Sequence, residues 1–228
     1  MVLNISERSY GGKKFRPNTL LDFEKSNNLL LCITAWGKEN IISRVTESIK
    51  SYITLANEDS EVTMLYSRKE NLHTMGNTLR MAVIMASEKI YNEFNKEEYT
   101  CGFEIFAAVQ DGPQWIYVSC GQPSLVIKRK NLGIVPLNQS TDLNVLTQKS
   151  SIQDPLPNAL LGLGQHPPIQ YGNIRLKKSD QLALISRSYL PNSFYKLNNE
   201  QFNMEDVALT LAKDNQEVPF WLAFINMD

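Results

Sequence analysis

The sequence predicts an α+β protein with antiparallel sheets, and the order of its apolar patterns is the reason. Strand-like runs come first, two amphipathic helical patterns follow, and a series of hairpin strands then leads to one helix and a closing strand. No linker, repeat or low-complexity segment is evident in the 228 residues. We therefore predict a single domain over residues 1–228.

The N-terminal part of the chain predicts three strands and two helices. A short strand is expected over Leu3–Arg8, and two more over Thr19–Lys25 and Leu29–Trp36, with Ser26-Asn27-Asn28 as the turn between them. Two stretches with apolar residues at helical spacing follow. The first contains Ile41, Ile42, Val45, Ile49 and Ile53, and the second Leu72, Met75, Leu79, Val83, Ile90 and Phe94.

The remainder of the chain predicts hairpins. Six strands are expected, over residues 101–109, 115–120, 125–128, 133–137, 169–176 and 181–186. The polar stretch Ser140–Pro157 has little periodicity and is expected to be a surface excursion. A helix over about residues 204–212 and a strand over Phe220–Ile225 complete the chain.

The charge and hydropathy patterns argue against several function classes. A net charge of −1 gives no general attraction to nucleic acid or to an anionic membrane. The basic run Lys128-Arg129-Lys130 has no interleaved aromatic residues, so we expect a solvated hairpin tip. No stretch approaches the roughly 20 apolar residues of a membrane helix, and the N-terminus lacks a signal pattern. We expect a cytoplasmic protein.

Cysteine and histidine are poorly placed for a site. The three cysteines, Cys32, Cys101 and Cys120, are odd in number and lie in apolar runs, which favours buried free thiols over disulfides or reactive thiols. His73 and His166 have no second ligand at helical or hairpin spacing. We therefore expect no zinc site, and surface or capping roles for both histidines.

Five stretches of the sequence, in this order of elements, resemble motifs of the metal-dependent protein phosphatases of type 2C. The family's segments are an opening Arg-x-Asn-x-Asp, a strand with an Asp-Gly turn, a Gly-Asp-Ser turn, an Ala-Leu-Gly segment leading to Ser-Asp-Gly, and a final Asp-Asn. The matching stretches are GGKKFRPNTLLDF, LLLCITAWGKENIISRV, WIYVSCGQPSLVIKR, DPLPNALLGLGQHPPIQYGNIRLKKSDQLALISRS and KDNQEVPFWLAFI.

The resemblance covers nearly the whole chain and implies a four-layer α-β-β-α sandwich of two antiparallel sheets flanked by helices. It also implies a chemistry. In that family two divalent metals, usually magnesium or manganese, are held by aspartates, and a metal-activated water attacks a phosphoserine or phosphothreonine. An arginine near the N-terminus binds the phosphate.

Three of the family's metal-binding aspartates are replaced in this sequence. The opening aspartate falls on Leu20, the Asp-Gly aspartate falls on Trp36, which the matching Gly37 follows, and the Ser-Asp-Gly aspartate falls on Arg187. Asp22 lies two residues after Leu20 on the same strand face and would partly replace the missing acid.

Other positions of the motifs are retained. The final pair is present as Asp214 and Asn215, and Arg16 matches the phosphate-binding arginine. The segment Asn57–Ser60 repeats the opening motif letter for letter, but it follows the first helix. We interpret it as a loop coincidence.

The substitutions remove ligands and add a charge. Magnesium and manganese need hard oxygen ligands, which leucine and tryptophan do not supply. A guanidinium cannot lose its proton, and a fixed positive charge about 4 Å from a divalent ion costs several kcal/mol. Arg187 either replaces the cation and pairs with Asp214, or points into solvent at the strand end. Trp36 either packs in the core or is an exposed anchor for a partner.

These residues predict a catalytically inactive member of the type 2C family that acts as a regulatory or partner-binding module. Its partner would be another protein, a phosphorylated segment held by Arg16, or a second copy, and it would need no cofactor. The alternative is a divergent serine/threonine phosphatase that uses magnesium or manganese through Asp214 and Asp22. A structural subunit of a larger assembly is the third interpretation.

Overall fold

In a computed structural model of this protein, the described residues form two antiparallel sheets of five strands each. The structure describes residues 3–58, 68–130, 132–138, 140, 142–146, 154–164 and 167–227. The chain forms two compact units, each containing one sheet. The first unit comprises Met1–Asn18, Gly121–Asn158 and Leu176–Asp228, and the second comprises Thr19–Cys120 and Ala159–Arg175.

The second unit contains one sheet and two long helices. Its strands are β2 (Thr19–Glu24), β3 (Leu29–Gly37), β4 (Cys101–Asp111), β5 (Gln114–Cys120) and β8 (Gln170–Arg175). They pair in the order β2-β3-β4-β5-β8. The helices are α1 (Ile41–Glu58) and α2 (Thr74–Ile90), and a π-helical turn, Tyr91–Asn95, continues α2.

One face of this sheet packs against both helices. Alternate residues of β3 contribute to this core, which begins at Leu29 and ends at Ala35 along the strand. Helix α1 buries the residues of its predicted apolar stripe, Ile41, Val45, Ile49 and Ile53. Burial of each such side chain stabilises the fold by about 1.5–3 kcal/mol.

The ends of α2 are set by side chains. Helix α2 begins at Thr74 because His73 caps it, with Nδ1 accepting the Met75 N–H at 3.3 Å. At the other end the π-helical turn places the buried Asn95 between two segments. Its amide donates to the carbonyls of Cys101 and Gly162 at 2.7 and 2.6 Å. This cap confirms one of the two roles expected for His73.

Among its described residues, the first unit contains the other sheet and three helices. Its strands are β1 (Leu3–Tyr10), β6 (Ser124–Lys128), β7 (Ile134–Pro136), β9 (Gln181–Ser186) and β10 (Phe220–Met227). They pair in the order β1-β10-β9-β6-β7. The helices are α3 (Leu143–Leu146), α4 (Asn192–Tyr195) and α5 (Met204–Asp214). Phe194, Phe202 and Phe224 belong to the core that α5 covers.

Most differences from the sequence prediction concern short elements. Helices α3 and α4 were not expected, since four residues are too few to show a 3.6-residue period. Helix α5 ends at Asp214, two residues beyond the predicted end. The prediction of a solvated hairpin tip at Lys128–Lys130 agrees with the exposed Lys130 and is wrong for Lys128. Lys128 is buried and donates to the Leu197 carbonyl at 3.0 Å, and Arg129 pairs with the buried Asp180.

The predicted fold class is confirmed, because the chain is α+β with two antiparallel sheets flanked by helices. Two features of the sequence lie outside the described residues, namely His166 and the second half of the Asn57–Ser60 segment. In the part of the chain that is described, no helix is long and apolar enough to cross a membrane.

All three cysteines are free and buried, as the sequence predicted, so we expect none of them to react with a thiol reagent in the folded protein at about pH 8. Burial and the nearby charge of Glu104 raise the pKa of Cys120 to about 12. Its thiol should therefore stay protonated when the protein is folded. Titration with a chromogenic disulfide, with and without guanidinium, measures the reactive thiols.

The raised pKa also sets a pH dependence. The unfolded thiol loses its proton near pH 8.5, while the folded one keeps its proton up to about pH 12. The contribution of Cys120 to stability is thus complete below about pH 8.5 and is lost as the pH rises above it. Rapid labelling of Cys120 in the folded protein would contradict this environment.

Candidate functional site

Arg187 follows β9 directly and reaches the C-terminal end of α5. Its side chain has 0% exposure. Nη1 donates to the Leu211 carbonyl at 2.6 Å, and Nη2 donates to Oδ2 of Asp214 at 3.2 Å and to the Asn215 carbonyl at 3.4 Å. Arg187 therefore pairs with Asp214, and its side chain does not point into solvent.

The end of α5 explains why a cation is stable there. The last carbonyls of a helix have no partner within the helix, and the helix dipole adds a partial negative charge at that end. The guanidinium supplies several donors and a permanent positive charge to this point. The rings of Tyr189 and Phe220 lie 5.1 and 6.0 Å from its Cζ, close enough for cation–π attraction.

Tyr189 completes the cluster by donating from its hydroxyl to Oδ2 of Asp214 at 2.8 Å. Burial lowers the pKa of Arg187, and the neighbouring Tyr189 and Asp214 act in the opposite direction. Burial, together with the hydrogen bond to Asp214, raises the pKa of Tyr189. At neutral pH the cluster therefore combines a charged arginine, a neutral phenol and a carboxylate bound by both.

The backbone of Arg187 is also held in place. Gln122 lies in the turn that matches the family's Gly-Asp-Ser segment, and it is buried. Its Nε2 donates to the Arg187 carbonyl at 2.7 Å. The turn begins at Gly121, whose φ of +68° lies in the left-handed region that glycine adopts readily. Both ends of the Arg187 residue, main chain and guanidinium, are thus fixed by named partners.

Trp36 lies near the end of β3 in the second unit and is half-buried. Its Nε1 donates to Oε2 of Glu104 at 3.0 Å. Glu104 lies on β4 opposite Thr34 and is 1% exposed. The sequence analysis missed Glu104, although a single acid inside the apolar strand CGFEIFAAV was a usable signal. The indole is held by a buried carboxylate, which agrees better with packing at the sheet than with an exposed anchor.

Gly37 is needed for the backbone path after Trp36. Its φ is +91°, and an added Cβ would lie 2.4 Å from the carbonyl oxygen of Thr100. The N–H of Thr100 is in turn bound by Oδ1 of Asn95 at 2.8 Å. The glycine that matches the Asp-Gly motif is therefore required by a close approach between two backbone segments.

Leu20 and Asp22 lie on the opposite face of the sheet from Trp36. Leu20 pairs with Ile33, whose side chain belongs to the core against α1, and Oδ2 of Asp22 is 2.6 Å from Nζ of Lys50 on α1. Trp36 shares the face of Thr34 instead. The prediction that Leu20 and Asp22 share a strand face agrees with this register. Because side chains alternate along a strand, Asp22 lies on the opposite face from Trp36, and its role as a substitute for the opening aspartate stays a prediction.

The basic loop before β2 is engaged with the segment after α5. The main-chain N–H groups of Lys13 and Lys14 both donate to the Glu217 carbonyl at 3.0 Å. Nζ of Lys13 lies 3.1 Å from Oε1 of Glu217, and Oδ1 of Asn215 accepts the Glu217 N–H. Arg16 is half-buried and already interacts with another residue.

The residues at these positions do not fit a divalent metal. Asp214 is bound by Arg187 and Tyr189, and its pairing with a buried cation excludes a second cation close by. Trp36 presents an N–H donor, and Leu20 offers no donor atom at all. Among the residues that the structure describes, no three His, Cys, Asp or Glu side chains are grouped so as to hold a metal ion.

Solved structures of bacterial phosphatases resemble the whole chain. The serine/threonine phosphatase PstP/Ppp of Mycobacterium tuberculosis matches with a TM-score of 0.66 and 14% identity, covering 100% of both chains. The PPM Ser-Thr phosphatase MsPP of Mycobacterium smegmatis matches with a TM-score of 0.64 and 13% identity, over 99% of this chain and 98% of that one. The chain has the fold of the PPM phosphatases.

A third structure with the PPM fold is PppA, a key regulatory component of T6SS in Pseudomonas aeruginosa. It matches with a TM-score of 0.66 and 10% identity, over 99% of this chain and 98% of that one. No protein-family model matches the chain, and no curated protein matches it. At identities this low, the structural similarity establishes the fold alone. The activity has to be argued from the residues.

We expect Arg187→Met to lower the free energy of unfolding by about 2–4 kcal/mol, because it leaves the Leu211 carbonyl and the Asp214 carboxylate without their donor. Asp214 is 24% exposed and can regain some water, which limits the loss. Guanidinium unfolding followed by tryptophan fluorescence gives the value. Arg8→Met is the control, because Arg8 and Glu205 are 49% and 80% exposed and their pair should contribute below about 1 kcal/mol. Equal losses would contradict the capping role.

We expect Gly37→Ala to destabilise the protein by about 2–4 kcal/mol, because its φ is unfavourable for alanine and its Cβ would collide with the Thr100 carbonyl. Gly11→Ala is the matched control, since nothing lies within 4 Å of a Cβ at that position. Thermal unfolding of both variants compares them. A Gly37 variant as stable as the Gly11 variant would show that the backbone approach is not as close as described.

Proposed function

We propose that this protein is a catalytically inactive protein with the PPM phosphatase fold, and that it acts by binding a protein partner. The observation that carries the proposal is the buried Arg187 and its pairing with Asp214. By the resemblance, Arg187 occupies the position of an aspartate that binds metal in active members. Here that position holds a permanent positive charge.

By the resemblance, a metal-activated water attacks phosphorus in active members of the family. Metal-dependent hydrolysis lowers the pKa of a bound water, and this needs a divalent cation held by oxygen ligands. The guanidinium repels such a cation by several kcal/mol at about 4 Å even with an effective dielectric constant near 20. Moving the guanidinium away would leave the Leu211 carbonyl and the partly buried Asp214 carboxylate without their donor, which is itself unfavourable.

A binding role is consistent with what the remaining residues offer. The proposed partner is a protein. It is either a protein with a phosphorylated segment that lies near Arg16, or a second copy of this chain. PppA, whose structure resembles this chain, is a key regulatory component of T6SS in Pseudomonas aeruginosa, and this supports a regulatory role. The cytoplasm is the compartment that we propose, since its reducing conditions suit three buried free thiols.

The competing function is that of a divergent serine/threonine phosphatase. The retained Asp214 is the residue that favours it, because one carboxylate of the family's set is still present. That enzyme would need magnesium or manganese, and it would need Asp214 to leave Arg187.

We expect neither manganese nor magnesium at about 1 mM to shift the melting temperature or to produce heat in calorimetry. A site with a Kd of about 10 µM would add about 2.7 kcal/mol under these conditions, so its absence is easily measured. We also expect no hydrolysis of an aryl phosphate above the blank, with MsPP assayed in parallel as the positive control.

The same assays on Asp214→Ala separate the two functions. Manganese-dependent phosphate release that disappears in this variant would overturn the proposal and establish the enzyme. Because Asp214→Ala also weakens the end of α5, its folding is checked by circular dichroism before activity is compared.

A further inference from the structure

We propose that an extended, positively charged segment of a partner protein docks along the outer edge of β2, in the groove between β2 and α1. The inference rests on the proposed binding function and gives its partner a chemistry. The groove lies within the second unit, and Leu20, Ile42, Ser43, Glu47 and Lys50 are among the residues that line it.

The edge of β2 is suited to an added strand. Strand β2 is the terminal strand of its sheet, and its six residues pair with β3 on one side only. Over the described part of the chain, no second strand pairs with its other side. Alternate N–H and C=O groups of an edge strand point outward, and an added peptide strand satisfies them with main-chain hydrogen bonds.

The groove beside that edge offers apolar surface to side chains of an added strand. Its volume is about 700 Å³, and the exposed Leu20 on β2 and the partly buried Ile42 on α1 give it apolar walls. Leu20 is 43% exposed, which is high for a leucine on a strand that faces a helix. Every second side chain of a strand added to β2 would point toward α1 and contact this apolar surface.

The charge of the groove favours a basic segment. Glu39 and Glu47 are exposed in the groove, and neither takes part in an ion pair within the described residues. The lysine of the groove, Lys50, is already neutralised by Asp22 at 2.6 Å. The groove therefore presents two unpaired negative charges, which favour Lys or Arg in the added segment.

The nearby cations do not compensate these acids. Nζ of Lys38 and Cζ of Arg44 lie 5.8 and 5.3 Å from the ring of Phe94, and Arg44 is paired with Glu93 at 2.7 Å. An anionic occupant is therefore disfavoured. A second copy pairing β2 with β2 is disfavoured too, because each strand carries Glu24, which forms no ion pair within the described residues, and the pairing would bring like charges together.

The test uses the full chain and three labelled seven-residue peptides with alternating side chains, followed by fluorescence anisotropy. We expect the Lys-Val peptide to bind and the Glu-Val peptide not to bind. The third peptide is the Lys-Val peptide methylated at every main-chain nitrogen. It has the same charge but no N–H donor on either edge, and it should bind at least about tenfold more weakly. Hydrogen exchange should slow at residues 20–24 only with the Lys-Val peptide.

Two matched pairs of variants locate the site. Glu39→Lys with Glu47→Lys should weaken binding about tenfold, while Glu97→Lys with Glu98→Lys, an equal charge change in an exposed loop, should change it less than about twofold. Leu20→Asp should weaken binding, and Leu132→Asp, at another exposed leucine, should not.

Several results would overturn the inference. They are no binding of the Lys-Val peptide, equal binding of the methylated peptide, equal effects of the paired variants, or protection from exchange outside β2. A dimer of the free protein that Leu20→Asp dissociates would assign the groove to a second copy and would also overturn it. Manganese-dependent hydrolysis with intact peptide binding would instead contradict only the proposed function.

Discussion

A permanent positive charge that is shielded from water, at the end of a helix, is the constraint on which the candidate site depends. Arg187 cannot lose its proton, so the surrounding structure has to supply acceptors for its N–H groups. The last turn of α5 supplies two carbonyls, and Asp214 supplies the opposite charge. The aromatic rings of Tyr189 and Phe220 cover the guanidinium. Helix, strand end and carboxylate are thereby connected through one side chain.

The second unit repeats this principle with different chemistry. Trp36 donates to the buried Glu104, so an acid that would be costly to bury alone has a hydrogen-bond donor. Gly37 allows the chain to pass close to Thr100, which Asn95 holds from the other side. In each unit, residues at positions that resemble metal ligands are occupied with partners from the protein itself.

Under the proposed function, a phosphatase fold serves without phosphatase chemistry. The two sheets and their flanking helices have cores of buried apolar side chains, and none of these core residues carries a charge. Replacement of the family's oxygen ligands by the Arg187–Asp214 pair would leave those apolar cores unchanged. Under the proposed function, the edge of β2 serves association with other proteins. Binding energy at such an edge comes from main-chain hydrogen bonds, which make few demands on the sequence of the partner.

The sequence by itself determined the element order, the α+β class and most strand and helix positions, because alternation and helical spacing record which side chains are buried. It also identified Arg187, Trp36 and Asp214 through a resemblance of motifs. It did not reveal α3, α4 or the π-helical turn, since such short segments have no period to detect. Only the tertiary structure decided which partners these residues have. Whether Arg187 caps α5, whether Asp22 faces α1, and whether Glu104 is buried all depend on register and on contacts between segments distant in the chain. Such contacts leave no local pattern in the sequence.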